Sequence, residues 1–304
     1  MGRVGSAAHN EGVLLVLIEN VKTMGRLDQL IYWITEREKM RKAKEAGKPR
    51  PWTDDEILQN YRFCNVNRED DKVTKWIAKN WREPNAGHGD LWFTMAVARW
   101  INWPDTLEKI GFPIPWKPKE VISTMEGIRN EGGKVWTGAY MIGTQGNKKD
   151  KILFVIENVL QPLWDRKTQL RPARNTTLKD FADRLMAIKN QGSFMVGQIV
   201  ADIKYDTESP LYAASDWHTF AVSGPGSRRG MNRLLNRQLT ATWNEARWHH
   251  KLLELQGIVN EKITADGIEP LHAQDLQNCL CEYDKMLRVL YGEGKPRSKY
   301  NGKG

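Results

Sequence analysis

The sequence predicts an all-α fold, and three observations predict it. Apolar residues recur at helical spacing along most of the chain. Strand signals are sparse, and none alternates cleanly. Glycine and proline cluster between the periodic segments, at 83–89, 111–118, 143–150 and 205–212.

Taken in order, the first element spans 27–46, with Leu27, Leu30, Ile31 and Ile34 on one face. It has a basic exit through Arg41, Lys42 and Lys44 before Gly47. Thr53-Asp54-Asp55-Glu56 has the form of a capping box just after Pro51, and Ile57, Leu58, Tyr61 and Phe63 form the expected buried side. Val73, Trp76, Ile77 and Trp81 continue the same helical region. Further helices are expected at 91–100, 119–129, 178–190, 194–204, 232–256 and 271–291. The β-branched stretches 135–142 and 152–159 allow at most a short hairpin. No repeat or low-complexity tract interrupts this pattern, and no loop is long enough to be a clear linker. The expected organisation is therefore an N-terminal extension (1–25), a single helical domain (26–291) and a basic tail (292–304).

A chain of 304 residues can bury a substantial core. With 40% hydrophobic and 27% charged residues it belongs with soluble globular proteins, and its run 13–18 is far too short for a membrane span. Forty-six basic against 37 acidic residues leave a charge of +9, which suits a polyanionic partner and also ordinary solubility. Three cysteines make no disulfide framework, so a reducing, cytoplasmic compartment is expected. Cys279-x-Cys281 lacks the spacing of a structural zinc pair, and neither a metal nor a cofactor is expected. Most of the 13 tryptophans, among them Trp76, Trp81, Trp92 and Trp100, have core-like spacing.

The familiar catalytic signatures are missing. No G-x-x-x-x-G-K-[ST], G-x-S-x-G or H-E-x-x-H occurs, and His249-His250 reads as surface. What remains is the corner Gly224-Pro225-Gly226 and four polar clusters. The corner opens into a helix expected to start at Ser227, with Arg228 and Arg229 sharpening its amide end for phosphate. A tight turn with solvated arginines is the competing reading. In the first cluster, Tyr61, Asn65, Arg68 and Lys72 would form one helical stripe beside Arg62. The second, residues 137–143, brings Tyr140 close to backbone. The third places Gln198 and Asp202 one turn apart on an otherwise apolar helix, where each needs a partner. The fourth groups Glu282, Asp284 and Lys285.

These clusters, with the stretch 52–66 and the run Gly292-Glu-Gly-Lys-Pro-Arg-Ser-Lys-Tyr300, resemble the phage-type thymidine hypermodification proteins. That group comprises amino acid:DNA transferases, α-glutamyl/putrescinyl-thymine pyrophosphorylases and the helical domain of 5-hydroxymethyluracil DNA kinases. The resemblance covers about residues 27–300. It implies an architecture akin to helix-hairpin-helix DNA glycosylases, whose Gly-x-Gly turn grips the DNA backbone. It also implies a substrate, double-stranded DNA carrying phosphorylated 5-hydroxymethyluracil. An amine from an amino acid or polyamine would be joined to the exocyclic methylene, with loss of phosphate or pyrophosphate.

Roles follow from that chemistry as expectations. Gly224, Gly226, Ser227, Arg228, Arg229 and Asn232 would hold DNA while the target nucleotide is flipped out. Tyr140 or Trp217 would stack on the base, with Asn65, Gln198 and Glu282 also lining the substrate site. Arg62 and Arg68 would neutralise the leaving group, Asp202 or Asp284 would take the amine proton, and Arg68 or Lys285 would bind a donor carboxylate. Two other readings compete: a helix-hairpin-helix glycosylase, with Glu245 near the spacing of its catalytic acid, and a non-catalytic DNA-binding subunit beside a separate kinase.

Overall fold

The computed structural model describes residues 21–138 and 149–294. In chain order its helices are α1 (Arg26–Glu45), α2 (Glu56–Asn60), α3 (Lys72–Ile77), α4 (Leu91–Ile101), α5 (Pro104–Ile110), α6 (Pro118–Asn130), α7 (Lys151–Leu153), α8 (Gln161–Asp165), α9 (Lys167–Leu170), α10 (Leu178–Met186), α11 (Ser193–Ile203), α12 (Pro225–Leu234), α13 (Glu245–Ala265) and α14 (Ala273–Leu290). The described residues contain no strand, so the all-α expectation holds for them. No helix among them is long and apolar enough to cross a membrane. The stretch 26–291, read from sequence as one domain, divides by its internal contacts into two compact units. Of the described residues, 21–68 join 223–294 in the first, and those between Glu69 and Val222 form the second.

In the first unit, α1 buries Leu30, Trp33 and Ile34, and α13 buries Trp248, Leu252, Val259 and Ile263. Both pack on α14, which is buried along most of its length. The second unit centres on α4, whose eleven residues are all buried, and α11 packs against it. Trp81, Trp92 and Trp100 are buried there, as their spacing predicts, and Trp76 is packed against the same core.

Several local expectations change. Helix α2 is only five residues long, and Asp55 caps it, its carboxylate accepting from the Leu58 amide at 3.0 Å. Thr53 instead accepts from the Asp55 amide, an Asx-like turn just outside the helix. Residues 151–160 are helical, through α7 and a π-helical turn Phe154–Leu160, where the sequence allowed at most part of a short hairpin. Ile152, Val155, Ile156 and Val159 stand at helical spacing and all are buried, so burial on one helix face outweighs β-branching. Of 135–142, the described part carries no strand, and 139–142 lie outside the described residues.

The single helix expected over 232–256 is two. Asn236 takes a left-handed φ of 50°, and the Arg237 amide returns to the Asn232 carbonyl at 2.8 Å, closing α12. Asn244 then starts α13, accepting from the Arg247 amide. Nor does Ser227 cap α12. Gly224 does, in extended conformation (φ −128°), with Pro225 at the first helical position.

The glycines of this segment therefore serve packing and not a left-handed turn. A Cβ on Gly226 would lie 2.3 Å from Cys281 Sγ, and one on Gly230 would lie 2.2 Å from the Leu280 carbonyl oxygen. The backbones of α12 and α14 meet where no side chain fits. Gly230→Ala should destabilise the protein by about 2–3 kcal/mol, because the clash is with backbone that cannot rotate away. Gly257→Ala, in α13 with open space around it, should instead stabilise by about 0.5–1 kcal/mol. Urea midpoints of the two variants check the pair.

Candidate nucleic-acid interface

The start of α12 carries a cluster of paired charges, part of it open to solvent. Glu245, the first residue of α13, accepts from the Ser223 amide at 2.6 Å and the Ser223 hydroxyl at 2.5 Å. Arg228 Nε donates to the same hydroxyl at 2.6 Å, and its Nη2 reaches Glu245 at 3.0 Å. Ser223 is buried, whereas the Arg228 and Glu245 side chains are 42% and 47% exposed. A solvent-open carboxylate thus stands against a guanidinium at the amino end of a helix. Gly226, Ser227 and Asn232 are buried in this region. The Ser227 hydroxyl is turned onto Gly224, accepting from its amide at 3.0 Å. Asn232 donates to the Leu239 and Ala241 carbonyls and accepts from Trp243, which shapes the loop 235–244. The DNA contacts expected of these three would have to be indirect; Gly224, Arg228 and Arg229 are the accessible members.

Arg229 leads inward to Asp284. This carboxylate is fully buried on α14, accepting from Arg229 Nε and Arg233 Nε at 2.9 Å each, with Arg288 Nε at 3.5 Å. Three guanidinium groups around one acid offset the cost of burying it. Arg233 also bonds Glu293. Burial opposes its charge, but the bonds to Glu293 and Asp284 prevail and hold the guanidinium above its ordinary range. Asp284 thereby organises arginines, and its oxygens are taken, which does not suit the proton acceptor expected of it.

The stripe expected from Tyr61 through Lys72 does not exist as a helix. Tyr61 ends α2 in extended conformation, and regular structure resumes only with a 3-10 turn at Arg68–Asp70. The intervening strap is tied to α14 by its own backbone. Cys64 N–H donates to Glu282 Oε2 at 3.0 Å, and Arg68 N–H donates to Asp275 Oδ1 at 3.1 Å. Asn278 Nδ2 donates to the Asn65 carbonyl at 3.3 Å. Asp275, Asn278 and Glu282 stand at i, i+3 and i+7, one helix face. Those side chains satisfy strap backbone groups that a helix would have paired internally, so tertiary contact overrides the local pattern. Glu282, expected at the substrate, is a strap acceptor that also bonds Lys285 at 2.8 Å. Lys285 Nζ lies 4.8 Å from the Phe63 ring centroid. Asn65 accepts from Arg37 Nη2 at 2.6 Å, while Arg62 is exposed.

The second unit holds Asp202, Gln198 and Trp217. Asp202 is buried and accepts from Arg99 through both oxygens, Nε at 2.5 Å and Nη2 by a shorter contact. Arg99 also donates to Thr74 and Asn102. This is a core ion pair between α4 and α11, where a base for the amine would need an open oxygen. Gln198 is buried one turn earlier. Trp217 donates from its indole N–H to the Lys204 carbonyl at 2.8 Å, with Lys204 Nζ 4.3 Å from the ring and Tyr205 edge-on at 5.3 Å. Its ring is packed against these neighbours, unlike the open stacking face expected. Tyr140 lies outside the described residues.

Two residues matter more in the structure than their sequence context suggests. Arg99 was legible in principle, as the lone charge in the apolar run 91–101, which must have an opposite partner. Glu245, weighed from sequence only as a glycosylase acid inside one helix 232–256, stands at the start of α13 because the chain breaks at Asn236.

The family described as 5-hmdU DNA kinase, helical domain, matches residues 25–295. The chain belongs to this family. Of the subgroups that the sequence resembles, this is the one the match names. A 5-hmdU DNA kinase of Bacillus phage SP10 is 23% identical over an alignment covering 61% of this chain. That alignment covers 32% of the phage protein, so the chain spans about a third of the length of that relative. No solved structure matches.

Two outcomes follow from this geometry. Asp202→Asn should destabilise the protein by about 3–5 kcal/mol in urea unfolding, since it leaves the Arg99 charge buried without its counter-ion. A purely catalytic acid would leave the midpoint unchanged. Cys281, seated in the notch left by Gly226, has its thiol pushed up to about 11, chiefly by burial. It is therefore neutral at physiological pH and unsuited to act as a nucleophile there. Iodoacetamide at pH 8 should alkylate it at least about 100-fold more slowly than free cysteine, with the rate still rising above pH 9.5, where an ordinary thiol has levelled off.

Proposed function

We propose that this protein is a DNA base hypermodification transferase that joins an amine to the exocyclic methylene of phosphorylated 5-hydroxymethyluracil. The observation that carries this reading is the half-open Arg228–Glu245 pair at the start of α12, in a chain of the 5-hmdU DNA kinase helical-domain family. A helix amino end with exposed arginines favours phosphate. A solvent-open carboxylate beside it supplies what Asp202 and Asp284, both enclosed by arginines, lack.

In this proposal the DNA backbone displaces Glu245 from Arg228, and Arg228 and Arg229 take the phosphate charge. The Glu245 carboxylate, released by Arg228 and still oriented by Ser223, accepts a proton from the donor amine, whose nitrogen attacks the methylene. The carbon–oxygen bond breaks, and phosphate or pyrophosphate departs with its electron pair, neutralised by Arg62, Arg68 or Arg229. Asp284 acts at one remove, holding the Arg229 guanidinium. A polar donor carboxylate would suit Lys285, and the reading includes an architecture of the helix-hairpin-helix glycosylase type with an extruded base.

A second reading has its own support. Both buried acids are fully engaged in ion pairs, and the named relative is a kinase of which this chain matches about a third. The chain would then be a DNA-gripping module working alongside a 5-hydroxymethyluracil DNA kinase.

One experiment separates them. The protein is incubated with phosphorylated 5-hydroxymethyluracil DNA and a mixture of amino acids and polyamines, and the nucleosides are weighed by mass spectrometry. A mass gain matching one amine, reduced about 10²–10⁴-fold in Glu245→Gln, is the expected result. Salt-sensitive DNA binding with no change in nucleoside mass would establish the module reading, and release of a free base would indicate a glycosylase.

A further inference from the structure

Basic residues are concentrated a second time in the first unit, away from α12 in sequence. Residues 41–50 contain Arg41, Lys42, Lys44, Lys48 and Arg50 against one acid, Glu45, which is bonded to Arg41 at 2.5 Å. Lys42 and Lys44 complete the last turn of α1, where positive charge complements the helix dipole. That account does not extend to Lys48 and Arg50, which lie beyond the helix end. Every residue from 44 to 51 is exposed.

The loop is nevertheless closely held. Gly47 takes a left-handed φ of 69°, and the Lys48 amide returns to the Ala43 carbonyl at 3.0 Å. Trp52 donates its indole N–H to the Lys48 carbonyl at 2.7 Å, fixing the ring against the turn. Lys44 Nζ and the Arg50 guanidinium carbon lie 5.7 and 5.2 Å from the ring centroid. The acids that follow, Asp54 to Glu56, belong to the capped start of α2, where the opposite end of a dipole accounts for them. Cations on a pre-ordered turn lose little freedom when a polyanion binds, and they gain by releasing its counterions.

We infer that the loop 44–52 is a second contact with the sugar–phosphate backbone of duplex DNA, additional to the start of α12. The inference rests on the reading that this chain binds DNA. Its occupant is a phosphate backbone, because the loop offers spaced and exposed cations. Lys44, Lys48 and Arg50 each take a phosphate, and Trp52 holds two of them in place.

The test is fluorescence anisotropy of the full chain on an unmodified 30-base-pair duplex across a salt series. The triple variant Lys44→Gln, Lys48→Gln, Arg50→Gln should bind about 10-fold more weakly near 0.1 M salt, and its log–log salt slope should fall by about 2–3. In the wild type, DNA should protect Lys44 and Lys48 from amine acetylation read by peptide mass spectrometry, a measurement independent of any variant. Wild-type affinity and slope in the triple variant, with both lysines acetylated as fast with DNA as without, would overturn the inference. If Arg228→Ala alone then weakened binding, the functional reading would survive that result. Failure of the wild type to bind DNA at all would overturn both.

Discussion

The contact between α12 and α14 leaves no space for side chains on one of its partners, and much of the first unit is arranged around that fact. Gly226 and Gly230, one turn apart, let the two backbones approach until Cys281 Sγ and the Leu280 carbonyl occupy the places of the missing Cβ atoms. This approach puts Arg229 and Arg233 within reach of Asp284, which is sealed at the same interface. It also leaves the opposite side of α14 free to receive the strap 61–68 through Asp275, Asn278 and Glu282. One helix is thus a platform with two uses, and a single methyl group would disturb both.

Two buried acids in this protein act on arginines. Asp284 gathers three of them, and Asp202 binds Arg99 through both oxygens. Such pairs add little net stability, since desolvation cancels most of the attraction, but removing one member is costly. They do fix geometry: Arg229 is anchored at its inner end while its side chain remains partly exposed. Arg228 is held by an acid that is itself open to solvent, a weaker restraint at higher dielectric. The difference sets which acids hold arginines permanently and which one a phosphate could displace.

That difference bears on chemistry as well. A carboxylate enclosed by guanidinium groups has no open oxygen for a substrate, whereas the half-exposed Glu245 is accessible from solvent. In the proposed reaction the base is accordingly Glu245, and Asp202 and Asp284 serve as ion-pair partners.

Much of the fold was legible in the sequence alone. The helices 26–45, 91–101, 193–203 and 273–290 follow from apolar spacing, because one-sided burial is a local property of a helix. The importance of Gly224 to Arg229 was also visible, though for a different physical reason: the glycines permit close packing, and they do not adopt left-handed turns. Tertiary structure decided the rest. Whether residues 61–68 coil or extend depends on acceptors on α14, more than 200 positions away. Whether Asp202 is a reactive acid or half of an ion pair depends on Arg99, on another helix. Local periodicity records which face of an element is buried, but the partner of a buried charge is chosen across space, and only the folded chain names it.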